Sequence, residues 1–348
     1  MAGRILMSSL TGNFMNSFDK HHLNDNHCFL CGELLSKKNR SDEHVIPEWI
    51  QREHNLWDKK LALLNHTLIP YRQLKIPCCR KCNNESLSQM ENEISKFLKR
   101  KFESPTKQDE YKLFQWASKI LYGLLYKEMS LASNLAQRAT GSIVPKEFLE
   151  NLLTFHHFMT SIQRPFNFVN FTPYSIFIVE TLTFDDSEKN FDYFDFVTIG
   201  NLGNEADALM LALRVQHYGI ICVFQDNGFQ KQFFQKQFDR FQGIPLHPIQ
   251  FLELACKTAY KHSLLTFSPR YSSLIPDFNS NNSEITVIPI TFPDENIWAS
   301  WDNDTYEKLF FSIAKNTGFG ALLPDSLYIG EKHLTWLDDG HGNPLKMI

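Results

Sequence analysis

No uninterrupted apolar run approaches the roughly 20 residues that a membrane-spanning helix needs. The longest, such as Tyr218-Gly-Ile-Ile-Cys-Val-Phe224, have the length of a strand. The N-terminal stretch MAGRILMSSLTGNFMNSF has one Arg and no long apolar segment. It makes a poor signal peptide, so a cytoplasmic, membrane-free protein is expected. There is no internal repeat and no low-complexity tract, which excludes a repeat array. Charge of one sign is also scarce: the net charge over 348 residues is only −4.

What is present points to a folded protein. Hydrophobic residues make up 43% of the chain, enough for a globular core and too many for a disordered chain. The 30 Phe supply much of that core. The charge is unevenly placed. Residues 1–105 hold 16 Lys and Arg against 12 Asp and Glu, a net +4, and the remainder carries −8. A mildly basic N-terminal part on an acidic body fits a nucleic-acid-facing N-terminus.

Seven Cys are present, an odd number, and five of them lie between Cys28 and Cys82. Clustered pairs in a chain without an export signal point to metal rather than to disulfides. Cys28-Phe-Leu-Cys31-Gly32 is a knuckle that can offer two thiolates to one zinc, with Gly32 allowing the tight turn. Cys79-Arg-Lys-Cys82 stands just before a strong helical pattern. Together Cys28, Cys31, Cys79 and Cys82 predict a structural zinc site of the treble-clef kind. Cys78, at the wrong spacing, is expected to be a small core residue.

The periodicity divides the chain in three. Residues 1–25 are expected to form a flexible arm. Residues 26–105 form the Cys-rich module, with a short helix over Pro47–His54, one or two strands between Leu61 and Ile76, and a helix over Asn83–Phe102. A linker is expected over Glu103–Asp109. Residues 106–348 read as an α+β domain with an antiparallel sheet. Its helices are expected over Glu110–Leu131, Pro145–Gln163, Pro248–Leu265 and Tyr306–Asn316. Its strands are expected over Ser175–Thr183, Phe194–Ile199, Met210–Val215 and Gly219–Phe224, with a hairpin turn at Asn227-Gly228. Leu246-His-Pro-Ile-Gln-Phe251 could line a pocket.

Between the cysteine pairs lies Asp42-Glu43-His44-Val45-Ile46-Pro47, and Cys82-Asn83-Asn84 opens the following helix. In this combination residues 26–100 resemble the HNH, or ββα-metal, endonuclease family. The resemblance implies phosphodiester hydrolysis, expected on DNA, with His44 as general base. It implies Glu43 and Asn83 as ligands of a catalytic Mg²⁺ or Mn²⁺, distinct from the zinc. The middle Asn of the family, which orients the base, is not obvious. Asn65 is the best-placed candidate, with His66 and Gln73 as rivals. The family often has Asp at the position of Glu43 and His at that of Asn83.

Arg72, Lys75, Arg80, Lys81 and Lys96 are candidate phosphate contacts or a solvated charged face. Glu91 and Glu93 are expected to be surface or capping residues. A zinc deaminase is excluded, because no His-x-Glu stands at a suitable place. A non-catalytic treble-clef binding module is the alternative; it would use the same Cys and would not need Glu43, His44 and Asn83 to converge. For residues 106–348 a regulatory or targeting role is expected, through a partner protein or a small-molecule signal. By analogy with fused HNH nucleases, that would be in anti-phage or mobile-element defence.

Overall fold

A computed structural model describes residues 23–65, 67–134, 141–163, 166–184, 192–202, 205–267, 269–274, 284–290, 297–329 and 332–347. The expected arm therefore lies outside the described residues up to position 22. Leu23 is buried, and Asn24 O accepts a hydrogen bond from Tyr126 Oη at 2.9 Å. The end of the arm is thus docked on the body.

The N-terminal part contains β1 (Arg40–His44), α1 (Glu48–Glu53), β2 (Lys60–Ala62), β3 (Leu68–Pro70) and β4 (Lys75–Cys79). A π-helical turn over Cys82–Leu87 then runs into α2 (Ser88–Leu98). β1 pairs antiparallel with β4, and β2 with β3. The helices α3 (Lys107–Met129), α4 (Lys146–Asn151) and α5 (Leu153–Thr160) follow. The expected linker ends in a capping box: Thr106 Oγ1 accepts from Asp109 N, and Asp109 Oδ2 accepts from Thr106 N at 2.9 Å. The single helix expected over Pro145–Gln163 is two, because Leu152, at φ −87° and ψ 23°, leaves helical geometry.

Then come β5 (Phe166–Phe168), β6 (Tyr174–Glu180), β7 (Tyr193–Leu202), β8 (Glu205–Val215) and β9 (Tyr218–Phe224). The chain continues through α6 (Phe229–Asp239), α7 (Pro248–Ser263), β10 (Tyr271–Leu274), β11 (Ile285–Pro289) and α8 (Asn303–Asn316). The short pair β12 (Tyr328–Ile329) and β13 (Lys332–His333) closes the described fold. The main sheet has the order β6-β9-β8-β7 and is antiparallel throughout. A smaller sheet, β10-β11-β5, includes one parallel pair. The architecture is α+β, as its sequence pattern predicts.

The main sheet is covered on both faces. Leu211, Leu213, Ile220 and Cys222 belong to a core that also takes in α3, α5 and the N-terminal elements. Met210, Ala212, Ile221 and Val223 face a second core with α7 and α8. This is why β9 reads as a continuous apolar run: both of its faces are buried. Among the described residues no helix is long and apolar enough to cross a membrane.

One expectation fails here for a local reason. The Asn227-Gly228 stretch is not a hairpin turn. Asp226 Oδ2 accepts from Ser175 Oγ at 2.6 Å and from Gln230 N at 2.9 Å, and Gly228 at φ 73° starts α6. A buried carboxylate turns the chain from strand into helix, so the Asn-Gly pair serves a helix start. Leu246–Phe251 builds the start of α7, where the His247 ring accepts from Ile249 N and Gln250 Oε1 from His247 N.

Burial of imidazoles gives the fold an acid limit. Burial holds the His262 ring down at about 3 and the His157 ring at about 4. Both folded values lie below the unfolded value near 6.5, so the neutral rings favour folding. That contribution is complete above about pH 6.5 and is lost as pH falls through the folded values. For His262 alone it is on the order of 4 kcal/mol by pH 3. The melting temperature should fall steeply from pH 6.5 to 4 and less steeply in His262→Leu. Equal slopes in the two proteins would contradict it.

Candidate metal centre and active site

The knuckle forms as its sequence dictates. Gly32 takes φ 73°, Gly32 N donates to Cys28 O at 2.9 Å, and Cys28 N donates to Glu33 O at 2.8 Å. Phe29 N donates to Pro77 O at 2.9 Å and ties the knuckle to β4. β4 then delivers Cys79, and the helix that follows begins at Cys82. The sulfurs of Cys28, Cys31, Cys79 and Cys82 all lie within 4.8 Å of one another. The Cys31 and Cys79 sulfurs are 3.8 Å apart, about the edge of a tetrahedron built on a 2.3 Å zinc–sulfur bond.

The four thiols therefore fit a zinc ion. Hydrogen bonds from Cys31, then from Cys78 and Cys82, pull Cys28 down toward thiolate, and the bond to Cys28 pushes Cys31 up. Gln163 Nε2 donates to Cys82 Sγ at 3.1 Å, so the body also supports the site. Cys78 is buried beside it, 3.8 Å from Cys28 by their sulfurs, and donates to Cys79 O at 3.4 Å.

β1 carries the second cluster. Ser41 and Glu43 alternate with Asp42 and His44, so the two pairs point to opposite faces of the strand. Asn83, one residue past the last cysteine, donates from Nδ2 to Ser41 Oγ at 2.9 Å. It fastens the helix start to the hairpin. Glu43 points inward. Its Oε1 is 2.5 Å from Lys119 Nζ, and Lys119, in α3, is fully buried. Lys119 Nζ also donates to Glu91 Oε1 at 2.9 Å, to His44 O at 2.5 Å and to Val45 O at 3.2 Å. Burial alone would lower the Lys119 ammonium; the charges of Glu43 and Glu91 outweigh it and raise it. Burial, reinforced by Glu91, lifts the Glu43 carboxyl to about 7.

A divalent cation held by Glu43 and Asn83 does not fit this arrangement. The Glu43 carboxylate already faces a cation in a site without room in its charge balance for two more positive charges. Asn83 gives its Nδ2 to Ser41, which leaves Oδ1 as its one atom for a cation, so the misfit lies with Glu43. Glu91 is neither a surface nor a capping residue. Its position between Leu87 and Ile94 puts it on the buried side of α2, where it meets Lys119. Glu93 does lie at the surface, paired with Lys112 at 2.7 Å.

His44 ends β1 opposite Lys75 in the ladder. It is half-buried, and its Nε2, itself shielded from solvent, has no hydrogen-bond partner among the described residues. Burial first, then the charge of Lys75, lowers its proton affinity, so the ring is neutral at neutral pH. Its ring centroid lies 5.8 Å from that of Trp57, which in turn lies under the Arg52 guanidinium at 4.5 Å. An imidazole able to accept a proton, two cations and an indole thus share one end of the hairpin.

Asn65 sits elsewhere. Its Nδ2 donates to Ser133 O at 2.9 Å and its Oδ1 accepts from Thr67 N at 3.0 Å, which shapes the β2–β3 turn. No contact brings it to His44. Gln73 is exposed in the turn before β4, and His66 lies outside the described residues. Of the candidate phosphate contacts, Arg72 is paired with Asp58, and Arg80, Lys81 and Lys96 are exposed.

The sequence pattern does not single out Lys119, and with it the inward role of Glu91 stays hidden. The available signal was a single Lys on the apolar stripe of α3, flanked at helical spacing by Trp116 and Gly123. No family model, curated protein or solved structure matches the chain.

Proposed function

We propose that the chain is an endonuclease that hydrolyses phosphodiester bonds, expected in DNA, through a zinc-braced treble-clef ββα module. The observation that carries the proposal is His44: a neutral imidazole with an unpartnered Nε2 at the hairpin end, beside Lys75, Arg52 and Trp57. His44 Nε2 takes a proton from water, the hydroxide attacks phosphorus, and the bond from phosphorus to the opposite ester oxygen breaks, that oxygen leaving as an alcohol after taking a proton from solvent. Lys75 is placed to meet phosphate charge, while Arg52, paired with Glu48 and stacked over Trp57, orders this end of the hairpin. The four-cysteine site supplies the rigidity that holds hairpin and helix together. Defence against foreign nucleic acid remains the context proposed for the enzyme.

A second function is favoured by one observation. The ion pair of Glu43 with Lys119 removes the carboxylate that the family resemblance assigns to a divalent cation, and a non-catalytic nucleic-acid-binding module would need no such cation. Incubation of the full chain with supercoiled and single-stranded DNA and with RNA, in Mg²⁺, in Mn²⁺ and in EDTA, separates the two. The expected result is scission of at least the DNA. Tight binding to all three without any scission would favour the binding module.

A further inference from the structure

Lys119 reaches the hairpin's charged residues from beyond the cysteine-rich part. Its Nζ has four oxygen neighbours: the carboxylates of Glu43 and Glu91 and the carbonyls of His44 and Val45. An oxygen cage with two carboxylates is what a hard divalent cation would seek. Here an ammonium fills it.

The helix that brings the ammonium is packed without slack. α3 is 23 residues long, and Leu113, Phe114, Trp116, Ile120, Leu121 and Tyr122 around Lys119 are all buried. At Gly123, one turn on, an added Cβ would lie 3.1 Å from Val45 and 3.2 Å from Ile76, so α3 lies directly against β1's exit and β4. A helix this close cannot withdraw its lysine without opening the core.

We infer that Lys119 is the resident counter-cation of the Glu43–Glu91 pocket and a positioning residue for His44. Glu43 is then not a ligand for a divalent cation. Glu43 and Glu91 fix the ammonium, and the ammonium fixes the backbone carbonyl of His44. The imidazole is thereby held at the end of the ladder. The positioning half of this inference rests on the nuclease proposal; the counter-cation half does not.

The test is Mn²⁺ binding by the zinc-loaded full chain, read from the electron paramagnetic resonance signal of free Mn²⁺. No turnover is needed, so failure of the nuclease proposal leaves the result interpretable. Wild type and Glu43→Gln should bind Mn²⁺ equally. Lys119→Ala should gain a Mn²⁺ site, and Lys119→Ala combined with Glu43→Gln should lose it again. Loss of Mn²⁺ binding on Glu43→Gln in the otherwise native chain would overturn the inference, and this comparison stands even where Lys119→Ala does not fold. In a preparation that cuts, Lys119→Met should lower kcat on the order of 100-fold with KM little changed, and Lys119→Arg should restore part of it. Folded Lys119→Met with wild-type kcat would overturn the positioning role.

Discussion

Cys79→Ser should leave the protein without zinc and without a folded N-terminal part. Cys79 ends β4 opposite Arg40, offers its sulfur to the cluster and accepts Cys82 N at 3.4 Å. It therefore joins hairpin, knuckle and helix at one atom. Zinc binding to such sites is worth on the order of 10 kcal/mol in small peptides. The net stability of a typical domain is about 5–15 kcal/mol. The loss is comparable to the whole, and it will spread. Phe29 and Cys78 share one core with Leu121, Phe155 and Leu211, so water reaching the knuckle also reaches α3 and the main sheet. Metal analysis should find about one zinc per native chain and none in the variant. Calorimetry should show the variant's main transition shifted down or lost. A zinc-free variant that melts like wild type would contradict the structural role.

His44→Ala should lower cleavage by about 100- to 10,000-fold, the usual worth of a general base. The substitution is expected to spare the fold. The ring is half-buried, its Nε2 has no partner to lose, and the Lys119 bond is to the backbone carbonyl, which Ala keeps. Zinc content and melting temperature should therefore stay near wild type. The pH profile adds a second check. Burial and Lys75 lower the proton affinity of His44, so the wild-type rate should hold below the ordinary histidine range and fall only at more acid pH. A variant that cuts as fast as wild type, or a rate that already halves near pH 6.5, would remove His44 from the chemistry.

The contrast between what the sequence discloses and what it hides has a physical basis. The four-cysteine cluster was legible because metal chemistry fixes residue type and spacing locally: Cys28 and Cys31 on one knuckle, Cys79 and Cys82 at one helix start. The four strands of the main sheet were legible as runs of β-branched and aromatic residues of strand length. Gln230 to Asp239 was not recognised as helix, because Gln and Lys interrupt its apolar stripe and the Asn-Gly pair before it mimics a hairpin turn. The fate of Glu43 was hidden for a different reason. Whether a carboxylate meets a metal or a lysine depends on a residue 76 positions away, and only the packing of α3 on the hairpin brings Lys119 there. For the same reason the boundary expected at residue 105 separates two groups that share a buried ion pair. A fragment ending there would leave Glu43 and Glu91 without their cation.

The most direct test of the central claim is one cleavage time course. Zinc-loaded full-length protein and His44→Ala, matched in zinc content and melting temperature, are incubated with supercoiled plasmid in Mg²⁺ or Mn²⁺, and nicked and linear products are quantified. Conversion by the wild type, with His44→Ala slower by at least about 100-fold, is the predicted result. Equal conversion by both proteins, or no conversion by either, would contradict a hydrolytic site built on His44.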